Sequence, residues 1–217
     1  MLLENLIYAG IVFTGFSAIM NPIASISIFL TLTSHENEQT AKKIAFQSTL
    51  TAFIIVLCFS IAGNFFLNFF GVSLTALRLT GGILIVIIGY EMLHGQQSYI
   101  NKPEKETLQK VIKEEGSIAV TPLGIPLLAG PGVIITAMNF SAPGFSNLII
   151  TNLSFFILCV ITYYVFIFGK QIRELLGASA LKVVTKMMGL ILAVIGMQMI
   201  IEGIYSAISE FHAHNYF

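Results

Sequence analysis

Two Xaa-Pro pairs one hundred residues apart carry most of the chemistry this sequence offers: Asn21-Pro22-Ile23-Ala24 and Thr121-Pro122-Leu123-Gly124. In each, a residue type that caps helices stands before proline, which fits the first helical position and disrupts the interior. Each pair predicts a helix that starts afresh inside an apolar run. A helix start leaves backbone N–H groups free and a partial positive charge, here at Ile23–Ser25 and Leu123–Ile125. Within a bilayer those donors suit an anionic group such as a carboxylate. Ala24 and Gly124 are small enough to let a ligand reach the backbone. Asn21, Pro22, Ala24, Ser25, Thr121, Pro122, Gly124 and Ile125 are therefore the expected binding residues. Gly130 and Gly132 join them, because Pro122 to Gly132 holds six prolines and glycines in eleven residues. Backbone that irregular is tolerated at membrane depth only where protein buries it or water lines it.

Other reactive groups are sparse. Arg78 stands about two turns into an apolar run, where an ionisable group is a functional candidate. Its forked guanidinium suits gating or carboxylate binding, while snorkelling to the interface is the structural alternative. Glu91 and Glu202 fall near run ends and are expected at the interface. Ser25, Ser27 and Thr136 can hydrogen-bond a substrate or back-bond to their own helix. His212 and His214 lie in a terminal Phe-His-Ala-His expected to be a frayed tail, not a metal site. Cys58 and Cys159 sit in apolar runs and are expected to be small buried hydrophobes.

The elements that must position these residues follow from composition. Of 217 residues, 56% are hydrophobic and only 10% charged, and mean hydropathy is +0.87. A soluble surface needs roughly a quarter charged residues, so most of this surface faces lipid. The apolar runs fall at 5–32, 44–66, 72–93, 117–140, 145–168 and 183–205. Each is long enough for a bilayer crossing of about 20 residues, and runs this continuous are helices, not barrel strands. Zero net charge gives no electrostatic footprint for nucleic acid. Met-Leu-Leu-Glu has no basic n-region, so it is expected to begin the first span.

Ten of the eleven Lys and Arg residues fall in alternate loops, from Lys42 and Lys43 to Lys182 and Lys186; Arg78 is the exception. The basic side is expected to be cytoplasmic, which puts both termini on the external, periplasmic side.

The two halves also resemble each other. Besides the Xaa-Pro pairs, Gly82 and Gly89 are seven apart, as are Gly189 and Gly196, and Arg78 and Lys186 precede the respective pairs. Three spans per half is an odd number, so the second copy enters from the opposite side. The expected fold is an all-α membrane protein of six transmembrane helices. It consists of two inverted-topology three-helix repeats, 1–100 and 101–217, with helices 1 and 4 discontinuous. Secondary transporters are built this way, with substrate near the midplane. Counted at about 1.5 Å per residue, Asn21 lies deeper in its span than Thr121. Either the chain before Thr121 is partly extended, or the amphipathic stretch 104–115 dips inward.

The sequence resembles the MarC family over the whole chain. The likeness is carried by Asn21-Pro22 followed by Phe29, by Arg78-Leu79-Thr80-Gly81-Gly82-Ile83-Leu84, and by Pro122 through Gly132. It implies six spans in two inverted repeats and, for some members, transport of glycine, alanine and similar amino acids. The chain departs from the family at Ala24 and Ser27, where glycine and proline are usual.

The expected function is therefore a secondary transporter of small neutral amino acids (the glycine, alanine and serine class) in a prokaryotic plasma or inner membrane, working by alternating access. An intramembrane enzyme would gather His, acidic, Cys or Ser/Lys groups at depth, and no such set stands out. A channel or scaffold is the third reading, without a continuous polar path or a soluble domain in its favour; transport of another small metabolite stays open. No cofactor is expected beyond a coupling proton or sodium ion. Lipid and the amino acid are the expected partners, and homo-oligomer formation stays open.

Overall fold

The computed structural model describes residues 2–34, 36–94 and 128–214. Among these the chain is helical and contains no strand: α1 (Leu2–Met20), α2 (Pro22–Leu32), α3 (Glu38–Phe70), α4 (Leu74–Leu93), α5 (Pro131–Ser141), α6 (Phe145–Ile167) and α7 (Gly169–His214). Five stretches are long and apolar enough to cross a membrane: Leu3–Leu32, Glu38–Gly63, Leu74–Leu93, Phe145–Ile167 and Ser179–His212. They match five of the six expected spans. The expected fourth span, 117–140, is described only from Leu128 onward, where α5 covers its last part.

Helix ends follow local chemistry. Asn37 caps α3 by accepting the Thr40 N–H at 2.7 Å, and Ser73 caps α4 by accepting the Ala76 N–H at 3.1 Å. At the far end of α3, Gly71 takes a left-handed φ of 65° that closes the turn into α4. Gly177, at φ 71°, interrupts α7, so the segment bearing Lys170 and Arg173 is separate from the membrane-crossing stretch that follows.

The apolar surface is inverted relative to a soluble protein. Ile54, Ile61, Phe65, Ile83, Ile149, Leu153, Val194 and Ile201 are all exposed. An apolar patch this extensive would drive association in water, whereas in lipid it is simply the outer surface. The interior is centred on the inner half of α1 and on α2: Val12, Phe16, Ala18, Ile19, Met20, Asn21, Ser25, Ile26 and Phe29 are all buried. The helix break thus lies in the middle of the bundle.

Helices α4 and α7 pack most intimately. A Cβ on Gly82 would come within 2.7 Å of the Gly196 carbonyl oxygen, and one on Gly89 within 2.6 Å of the Gly189 oxygen. In the reverse direction, Cβ atoms on Gly196 and Gly189 would each meet the partner glycine's oxygen at 2.8 Å. The two glycine pairs noted in the sequence therefore face each other in antiparallel register. Lipid supplies no hydrophobic drive between helices, so such backbone-to-backbone packing is what holds them together.

Candidate functional site

The first break has the form expected at Asn21-Pro22. Asn21 adopts φ 41° and ψ 69°, the one positive φ outside glycine among the described residues. Asparagine tolerates this conformation better than most residues, and Pro22 then starts α2 at its first helical position. The free amides predicted at Ile23–Ser25 are, however, largely taken. The Ala24 N–H donates to Asn21 Oδ1 at 3.2 Å, and the Ser25 N–H to the Asn21 carbonyl at 3.1 Å. The Ser25 hydroxyl lies 3.1 Å from the same carbonyl and 3.3 Å from that of Met20. The residue type of Asn21 predicts the cap; it does not predict that the cap and the left-handed turn close the amides expected to be free. Two polar groups next to the break remain buried without partners, Asn21 Nδ2 and Ser17 Oγ.

Among the described residues, the second helix to start on a proline begins at Gly130-Pro131, nine positions beyond Pro122. Thr121, Pro122, Gly124 and Ile125 lie outside the described residues. Gly130 provides no side-chain cap, Pro131 has no N–H, and the Ile134 N–H donates to the Gly130 carbonyl at 3.1 Å. Gly132 and Val133, in the first turn of α5, are both buried. A Cβ on Gly132 would touch Ile19 at 3.5 Å and Ile88 at 3.3 Å. The start of α5 therefore lies at the level of Ile19, two residues before the first break. From there α5 runs antiparallel to α1, with Phe140 against Gly15 and Phe16 and its carbonyl accepting the Tyr8 hydroxyl. The mismatch of depth between Asn21 and Thr121 does not arise for Gly130-Pro131.

Arg78 is not at the break. Its Nε donates to Asn139 Oδ1 at 2.8 Å and its Nη1 to Ser206 Oγ at 3.4 Å, tying α4 to α5 and α7 near the N-terminal end of the bundle. One turn earlier, Thr75 Oγ1 donates to Glu210 at 2.7 Å. Asn139 and Ser206 were not singled out from the sequence. Asn139, buried in an otherwise apolar helix, was the available signal.

The remaining polar candidates divide. Glu202 is exposed and accepts from Gln198, whereas Glu91 is half-buried with one carboxylate oxygen enclosed and unpartnered. The exposed His212 ring lies 2.8 Å from the Ile208 carbonyl. Cys159 is buried as expected, but Cys58 is exposed on the lipid-facing side of α3. Thr136, completely buried, lacks the back-bond to its own helix that Thr49 and Thr162 make.

Residues 6–208 match the profile of the MarC family integral membrane proteins. The chain belongs to the MarC family. It is 37% identical to a UPF0056 membrane protein of Pyrococcus horikoshii over 91% of this chain and 94% of that one. It is 35% identical to the UPF0056 membrane protein YvbG of Bacillus subtilis, covering 89% and 92% of the two chains. With the UPF0056 inner membrane protein MarC of Escherichia coli it shares 29% identity over 88% and 91%. No solved structure matches the chain. As a MarC-family member it is an integral membrane protein, in accord with its apolar surface and five membrane-length helices.

Proposed function

We propose that this MarC-family protein is a secondary transporter of small neutral amino acids, of the glycine, alanine and serine class, and not an enzyme. It acts by alternating access in a prokaryotic inner membrane, with both termini on the external side, coupled to a proton or a sodium ion. The observation that carries the reading is the contact of Gly132 with Ile19, which brings two Pro-initiated helix starts to one level at the centre of the bundle. Two half-helix N-termini at one depth, pointing toward each other, suit a carboxylate between them. The donors differ from those first expected. The start of α2 is closed by Asn21 and Ser25, so the reading rests on the first turn of α5, where Gly130 gives no side-chain cap, with Asn21 Nδ2 as a further donor beside the first break.

Two features fit the inverted repeat expected from the sequence. Helices α2 and α5 each begin with proline and each run for eleven residues. Pro131 follows Pro22 by 109 positions, and Gly189 follows Gly82 by 107. Pro131 is thus a better counterpart of Pro22 than Pro122, which follows it by only 100 positions. Because α4 and α7 belong to different repeats yet are locked glycine to glycine, the repeats do not rock as two separate bodies. The broken-helix elements move against an α4–α7 frame.

Uptake of a labelled amino acid panel into proteoliposomes, under imposed proton and sodium gradients in turn, tests the reading. Movement of glycine, alanine or serine under either gradient is the expected result; failure of all three under both would falsify the substrate assignment.

A further inference from the structure

The proposed binding level lies between two aromatic contacts. Toward the N-terminal end, the fully buried Phe16 meets the ring of Phe155 at 4.8 Å and that of Phe140 at 6.1 Å, both edge-on. Toward the end bearing Lys42 and Lys43, Phe29 stacks on Phe166 at 4.5 Å with ring planes 4° apart. Phe16 precedes the turn at Asn21 and Phe29 follows it, so at about 1.5 Å per residue they stand roughly 7 Å and 12 Å to either side. Both close onto one face of α6, where Phe155, Leu158, Thr162 and Phe166 recur at helical spacing and are all buried. Between the two rings, Thr162 Oγ1 lies 3.8 Å from Met20 Sδ, beside the break.

A second observation distinguishes this arrangement from plain core packing. Buried hydroxyls elsewhere in the helices bond to the carbonyl four residues back, as those of Ser48 and Thr49 do, and Thr162 between the two rings does so as well. Thr136 and Thr151, both fully buried, and Ser141 make no bond at all. Thr136 lies on α5 between Gly132 and Phe140, which both touch α1, and Thr151 lies one turn from Phe155. Enclosed hydroxyls without partners are costly in a dry core and natural along a route that water or a polar solute enters.

We propose that Phe16 with Phe140 and Phe155, and Phe29 with Phe166, are the two gates of the transport path, and that this conformation is occluded, closed on both sides of the break. The inference rests on the transport reading, but its test does not require a known substrate. In full-length protein carrying Cys58→Ser and Cys159→Ala, Ser25→Cys serves as a reporter beside the break. It is labelled with a membrane-impermeant methanethiosulfonate applied to one face at a time. With both gates intact, labelling is slow from either face. Phe29→Ala should raise the rate about tenfold or more from the Lys42 face only, and Phe16→Ala from the opposite face only. Unchanged rates, or equal increases from both faces, would overturn the proposal. Phe16→Leu and Phe29→Leu give the same two-sided comparison if the alanine variants fail to assemble. One-sided acceleration without uptake of any amino acid would leave the gates standing and refute the transported substrate; uptake without one-sided acceleration would do the reverse.

Discussion

The guanidinium of Arg78 on α4 donates through Nε to Asn139 Oδ1 on α5 at 2.8 Å, while Nη1 reaches Ser206 on α7. One side chain thereby holds the far end of the short helix whose start lies at the break. Asn139→Ala removes the closer partner from a partly buried charge and is expected to cost about 1–3 kcal/mol. Arg78→Lys should also be destabilising, since an ammonium lacks the fork that spans two partners. Thermal unfolding in detergent measures both; a melting temperature equal to wild type in each would remove the cross-tie.

Gly82→Ala and Gly196→Ala each drive a Cβ into a carbonyl oxygen of the partner helix at 2.7 or 2.8 Å. Backbone cannot swing aside as a side chain can, so each should destabilise by about 1–3 kcal/mol. Gly10→Ala, with nothing within 4 Å, is the control and should melt like wild type.

Asn21 combines a left-handed backbone with a cap. Asn21→Gly keeps the conformation and loses the Oδ1 cap, whereas Asn21→Ala loses both. The expected order of stability is wild type, then glycine, then alanine, with the alanine variant about 1–3 kcal/mol below wild type. Denaturation curves that place alanine above glycine would show that the turn is unstrained.

Among the described residues, a Cβ on Gly132 meets the methyl groups Cγ2 of Ile19 and Cδ1 of Ile88, at 3.5 and 3.3 Å. Gly132→Ala should therefore fold with a cost below about 1 kcal/mol, whereas Gly132→Leu should fill the space at the start of α5. The leucine variant is expected to lose uptake while remaining in the membrane; wild-type uptake rates would move the binding site elsewhere.

Thr136→Val removes a fully buried hydroxyl that has no partner. Melting should stay level or rise, because an unsatisfied polar group leaves the core. Uptake should nonetheless fall if that hydroxyl serves the path. Loss of stability would instead reveal a hidden hydrogen bond.

The membrane class, five of the six crossings, the break at Asn21-Pro22 and the glycine pairs in α4 and α7 were all legible in the residue order. Each is a local property: run length against bilayer thickness, proline's missing N–H, and helical spacing on a single face. What the order alone left open is which groups remain unpaired once the chain has folded. Asn21 and Ser25 turn back on their own helix start, Gly130-Pro131 opens α5 at the depth of Ile19, and Arg78 is spent on Asn139 and Ser206. The first is a local turn whose left-handed backbone residue order does not dictate; the other two depend on distances between helices more than fifty residues apart in the chain. Local propensity carries no information about them; only packing in three dimensions decides which donors a neighbour satisfies and which stay free for a ligand.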